Sequence, residues 1–245
     1  MTFTWKRTNT LGKFGIDSDS RVPASVSKFL WKIVRNFATE AVEIQPDINT
    51  WIFEWGELSN QHVLGFAIRQ SGGFPFFEHP TKRNKPGNTG PSSGRLDIWV
   101  LDPQIRAFFL IEYKHTIRKI PSSWATASET EDFKIASEQI DSISRASIQN
   151  MKMGKDWPVF GISLLSVGLS RESPIALGSR QSDIKSNVIA EMDFVRSNLK
   201  PRPRWSACWL LPTSKRNAPK SDQQADNLTE EQPVGMLWFA RIVVK

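Results

Sequence analysis

The segment GRLDIWVLDPQIRAFFLIEYKHT, residues 94–116, constrains the fold of this chain more than any other stretch. Two apolar runs, Arg95–Leu101 and Ala107–His115, flank the turn-forming pair Asp102-Pro103 and read as consecutive β-strands. A charge inside such a strand is unfavourable unless it is compensated, so Asp97, Glu112 and Lys114 each demand a partner. With Pro103–Arg106 as a four-residue hairpin loop, Asp102 pairs with Ala107, and Asp97 falls opposite Glu112. Opposed residues share a face and lie roughly 4.5–5.5 Å apart. Glu112 and Lys114, two apart, project on the same side of their strand. The spacing therefore predicts that two acids and one amine converge, and a slip of one residue would part Asp97 from the other two.

The rest of the chain supplies helices for such a sheet. Val26, Phe29, Leu30, Ile33, Val34, Phe37, Ala38 and Ala41 recur at three- and four-residue steps and predict a helix from Ser25 to about Val42, ended by Pro46. A second helix is expected over about Asn49–Arg69, with Gly56 and Gly65 each weakening it by roughly 1 kcal/mol relative to Ala. Phe74–His79 reads as a short strand, and Pro80–Gly94 as a loop dense in Gly, Pro, Ser and Asn. A helix over Glu129–Asn150, a doubly buried strand over Val159–Leu169, a helix over Ile184–Leu199 and strands over Trp205–Leu211 and Val234–Val244 complete the order. Residues 1–24 read as an irregular arm, and Pro212–Pro233 as a mobile loop. The expected class is α/β, a mixed central sheet flanked by helices.

Two adjacent carboxylates repel and raise each other's pKa, and a divalent cation between them removes the conflict. Hard oxygen ligands with open positions suit Mg²⁺ or Mn²⁺ better than Zn²⁺. A lysine beside them can orient an attacking water and stabilise a developing oxyanion. Such a set is suited to phosphodiester hydrolysis. The charge balance agrees with a polyanionic partner: 32 Lys and Arg against 25 Asp and Glu give a net charge of +7.

These residues resemble the PD-(D/E)XK nuclease superfamily, whose pattern is an Asp on one strand and an acidic residue, any residue and Lys on the next. The resemblance spans about residues 49–170 and implies a restriction-endonuclease-like core, αβββαβ, with N- and C-terminal additions. Residues 1–48 would be an arm and helix, 49–170 the nuclease-like core, and 171–245 a helix and strands completing the same domain. Carried over, Asp97 and Glu112 are metal ligands, the Tyr113 carbonyl is a further ligand, and Lys114 is the catalytic lysine. The residue before Asp97 is Leu96, where the name-giving pattern has Pro. A Glu from the preceding helix often joins the family's site. Glu54 and Glu57, three apart on one expected helix face, are the candidates, with Glu57 favoured. Gln139 is the candidate for a polar group from the helix after the strands.

The resemblance implies Mg²⁺- or Mn²⁺-dependent hydrolysis of nucleic acid, DNA first, leaving a 5′ phosphate. A homodimer would match a site that cuts one strand of a duplex at a time. Lys82, Arg83, Lys85 and Arg95, around the basic loop before the Asp97 strand, are expected to track phosphates. Two further acidic-x-Lys triplets, Asp132-Phe133-Lys134 and Asp183-Ile184-Lys185, fall in expected helices, where residues one and three point to different faces. One cysteine excludes an intrachain disulfide framework, and three scattered histidines argue against a multi-His centre. No run of 18 apolar residues and no apolar leader in MTFTWKRTNT lead to the expectation of a cytoplasm-like setting without a membrane. Walker, GxGxxG, GxSxG and HExxH motifs are absent. Two rivals remain at this level: a non-catalytic nucleic-acid-binding protein on the same fold, and an unrelated α/β interaction protein.

Overall fold

A computed structural model describes residues 4–8, 11–48, 50–84, 92–120, 127–172, 181–212 and 231–245. In chain order the elements are β1 (Thr4–Thr8), β2 (Gly12–Ser18), α1 (Ala24–Ile48), a 3-10 turn (Ile52–Glu54), α2 (Glu57–Gln70), β3 (Phe74–Arg83), β4 (Ser92–Asp102), β5 (Ala107–Lys119), α3 (Ala127–Ser142), α4 (Arg145–Met151), β6 (Val159–Glu172), α5 (Gln181–Asn198), β7 (Trp205–Leu210) and β8 (Glu231–Val244). The strands form one eight-stranded sheet in the order β1-β2-β7-β8-β6-β5-β4-β3. Among the described residues only the β5–β6 pair is parallel. The protein is thus α/β, with a mixed sheet between helical layers.

Side-chain alternation sorts the core between the two faces. Phe109, Ile111 and Tyr113 of β5, with Ile162 and Leu164 of β6, pack toward α1 and α2. Phe108 and Leu110 of β5 meet Ile140 of α3. Leu165, Val167 and Leu169 of β6 meet Phe133 of α3 and Ile184, Val188, Met192 and Val195 of α5. The even-numbered positions of β5, Glu112 and Lys114 among them, therefore belong to the α3 side. The stripe expected on α1 is the buried set observed: Val26, Phe29, Leu30, Ile33, Val34, Phe37, Ala38 and Ala41.

Several boundaries differ from expectation. Part of the supposed irregular arm is the β1–β2 hairpin, which pairs with β7 and extends the sheet by two strands. Its apolar alternation is confined to Phe14 and Ile16 of β2, set among Lys, Gly and Asp, too short a run to signal a strand. Pro46 does not end α1, which runs two residues further; a proline in a last turn removes a single ladder bond at an end that is already fraying. The helix expected over Asn49–Arg69 is split at Trp55-Gly56 into a 3-10 turn and α2. The helix expected over Glu129–Asn150 breaks at Ile143-Ser144, where the Ser144 hydroxyl caps α4 by accepting from Ser147 N.

Strands β3 and β4 reach well into the stretch expected as the Pro80–Gly94 loop, of which residues 85–91, Lys85 included, lie outside the described residues. Most of the expected 212–233 loop lies outside them too. Cys208 is buried in β7, and burial pushes its thiol up to about 12. Among the described residues no helix is long and apolar enough to cross a membrane.

Candidate active site

The β4–β5 hairpin has the register read from the sequence, from Asp102–Ala107 to Ile98–Ile111. The Asp102 carboxylate fixes the connecting turn by accepting from Gln104 N at 2.9 Å and Ile105 N at 3.0 Å. The ladder then stops one pair short of Asp97–Glu112. Beyond this level β4 stays paired with β3 as far as Arg83–Ser92, while β5 stays paired with β6 as far as Lys119–Ser170. The sheet opens into a fork, and the acidic residues stand where the two branches part.

Each group at the fork has a defined partner. Asp97 Oδ2 accepts from Tyr113 N at 2.8 Å, so a carboxylate occupies the place a strand carbonyl would have taken. The Asp97 carbonyl, released from the ladder, accepts from the buried Gln61 of α2 at 3.2 Å. In extended backbone the N–H and C=O of one residue point to the same side. The Tyr113 carbonyl therefore faces the same opening as its N–H. On the β3 side the ladder skips Glu78–Asp97, and Glu78 adopts φ 50° there. Glu78 pairs with Arg95 at 3.5 Å on the surface instead of joining the acids.

Glu112 is fully buried. Burial, reinforced by the charge of the neighbouring Asp97 carboxylate, pushes its carboxyl up to about 8, against the opposing effect of Arg83. Glu112 Oε1 is ion-paired to Arg83, and Oε2 is buried with no partner among the described residues. Lys114 Nζ lies 2.8 Å from Glu57 Oε1. Burial disfavours the Lys114 ammonium, but Glu57, Asp97 and Glu112 together hold its pKa above the usual lysine value. Glu57 opens α2 on the opposite helical layer, and it meets Lys114 beyond the last β4–β5 pair.

The α2 start is itself pinned. Asn60 Nδ2 donates to the carbonyls of Ile52, Trp55 and Gly56 at 3.1, 2.9 and 3.1 Å. His115 Nε2 is 2.8 Å from the Phe53 carbonyl, which can only accept, so Nε2 carries the proton. His115 Nδ1 then accepts from Ser166 Oγ at 2.8 Å, and Tyr113 OH donates to that oxygen at 2.6 Å. Burial lowers the His115 pKa to about 4 and keeps the ring neutral. Gly168 completes the seat, since a Cβ there would stand 2.7 Å from the Phe53 carbonyl oxygen.

The structure brings Asp97, Tyr113, Glu112, Lys114 and Glu57 together. Glu54 does not join them: it is spent on its own 3-10 turn, accepting from Thr50 Oγ1 at 2.8 Å and Trp51 N at 3.1 Å. The shared helix face expected for Glu54 and Glu57 is lost because Gly56 separates turn from helix. Arg83 is not a loop residue free to track phosphates; it is buried at the end of β3. Lys82 and Arg95 are exposed. Arg83, Asn84, Ser93, Gly94, Arg95 and Gln139 line an open cleft of about 850 Å³.

Sequence reasoning missed Asp132, dismissed as part of a decoy triplet. Burial raises its pKa, and the charges of Lys114, which lowers it, and Glu57, which raises it, both act on Asp132. Its position one residue before buried Phe133 and four before buried Ala136 places it on the sheet-facing side of α3, and that was the usable signal.

The donor set fits a hard divalent cation. It holds two adjacent carboxylates, a strand carbonyl facing the same opening and an orphaned buried oxygen, Glu112 Oε2. Among the described residues no group of three or more His, Cys, Asp or Glu is placed so that it could itself hold a metal ion, so water and substrate would complete the coordination. No protein-family model, curated protein or solved structure matches the chain.

The acidic pair sets a pH dependence. The folded-state pKa of Glu112, about 8, stands above its ordinary 4.5. Its stabilising contribution is therefore full below about pH 4.5 and is lost as pH rises through about 8. His115 acts oppositely, its contribution being lost as pH falls from 6.5 through about 4. In metal-free buffer the urea midpoint is expected to fall as pH rises through about 8, and Glu112→Gln is expected to remove that decline. An equal decline in wild type and variant contradicts the assignment.

Proposed function

We propose that the protein is a metal-dependent nuclease of the PD-(D/E)XK kind, acting on DNA. The observation that carries this reading is the gathering of Asp97, Glu112 and Lys114 at the fork between β4 and β5. Asp97, Glu112 Oε2 and the Tyr113 carbonyl would hold Mg²⁺ or Mn²⁺. The ion, when bound, lowers the pKa of a water and polarises a phosphoryl oxygen. Lys114 orients that water and offsets charge growing on the phosphate. Glu57 keeps the ammonium protonated and aimed. Hydrolysis adds hydroxide to phosphorus, breaks the P–O3′ bond and returns a proton to the 3′ oxygen, leaving a 5′ phosphate. The cleft beside Arg83 and Arg95 offers a path for the strand. A homodimer would place two such sites on a duplex.

A second reading, nucleic-acid binding without cleavage, is favoured by one observation: Arg83 already occupies an oxygen of Glu112. Incubating the protein with supercoiled plasmid separates the two. Nicking or linearisation with Mg²⁺ or Mn²⁺, abolished by chelator, is expected. Retention of DNA without cleavage under both ions supports the binder. DNA retention that does not weaken with salt removes both, because phosphate contacts release counterions.

A further inference from the structure

We infer that Arg83 is a cation built into the acidic site, taking the place of a second metal, so that the site accepts a single divalent ion. This rests on the metal-dependent reading above and specifies its metal content. Arg83 arrives from β3, with β4 between it and β5. Its guanidinium donates to Glu112 Oε1 and to the Arg95 carbonyl, and through Nη1 to the Gln139 carbonyl at 2.7 Å. Three acceptors from β4, β5 and α3 thus hold one fork. Gly94 makes room for it, since a Cβ there would stand 2.7 Å from Arg83 Nε. The backbone of Arg83 is also bridged to Ile143, between α3 and α4. A side chain held at both ends does not swing away when an ion arrives.

A guanidinium stays protonated at any working pH, so Glu112 Oε1 remains occupied. Glu112 Oε2 is left without a partner, and Asp97 Oδ2 is shared with the Tyr113 amide. Arg83 also offsets one of the two carboxylate charges, Asp97 and Glu112, that meet at the fork. A second divalent ion would sit against the guanidinium at short range in a poorly screened site.

Titration of the full chain with Mn²⁺, reading free ion by electron paramagnetic resonance at about pH 9, tests this without reference to cleavage. Wild type is expected to bind one equivalent. Arg83→Gln, which removes the cation and keeps an amide, is expected to bind Mn²⁺ about tenfold more tightly; Arg83→Lys, which keeps the charge, is expected within about twofold of wild type. Two equivalents on wild type, or an Arg83→Gln affinity no tighter than wild type, overturns the inference. No binding to wild type would instead remove the metal-dependent reading itself. The wild-type stoichiometry stays decisive if Arg83→Gln fails to fold.

Discussion

Lys114→Met is expected to slow Mg²⁺-dependent plasmid cleavage by about 10²- to 10³-fold, the usual effect of removing one group that stabilises developing charge. The fold should scarcely notice. Lys114 and Glu57 form a partly exposed pair, with side-chain exposures of 21% and 37%, and such pairs contribute about 1 kcal/mol or less. Methionine also keeps most of the apolar stem. The informative comparison is therefore rate against thermal stability in the same preparation. Glu57→Gln should give a smaller loss of rate, because it loosens the ammonium without removing it. A Lys114→Met protein that cuts at the wild-type rate takes the lysine out of the chemistry and leaves the fork without its water-orienting group.

Glu112→Ala is expected to destabilise the metal-free protein by about 3–5 kcal/mol, read from urea denaturation. The reason lies less in what Glu112 contributes than in what its loss leaves behind. Arg83 is buried and ion-paired to Glu112, and truncating the acid strands a guanidinium in the interior. Glu112→Gln retains an oxygen for Arg83 and should be milder. The double variant Glu112→Ala, Arg83→Met removes both charges and should recover much of the loss, since replacing a buried pair by apolar groups is often close to neutral. Glu112→Ala at wild-type stability would show that the pair is solvated and that the site is not the dry one described.

How the site was legible depends on which residues shared an element. Asp97, Glu112 and Lys114 lie on one hairpin with a short turn, so period-two alternation and the loop length were enough to predict their register, and the ladder carries it to Ile98–Ile111. The point where the ladder stops is not legible, because nothing in the alternation of β4 marks Ile98 as its last step toward β5. Arg83 was misread for a related reason. Its neighbours in sequence are polar and loop-like, and its partners, at Arg95, Glu112 and Gln139, come from three other elements.

A continuous helix across Gly56 puts Glu54 and Glu57 on one face and favours Glu57 only slightly; the break there gives the choice a physical basis, one acid capping the turn and the other opening α2. Asp132 was discarded on its triplet, although its place beside the apolar stripe of α3 already pointed inward. The outer hairpin, β1–β2, is hard to read because its hydrophobic alternation is only two residues long, Phe14 and Ile16.

Crystals grown with Mn²⁺, examined for anomalous scattering, test directly whether the fork is a metal site. One peak is expected, coordinated by Asp97, Glu112 Oε2 and the Tyr113 carbonyl, with Arg83 still on Glu112 Oε1. Crystals saturated with Mn²⁺ that show no peak between Asp97 and Glu112, or that place the ion elsewhere, would contradict it.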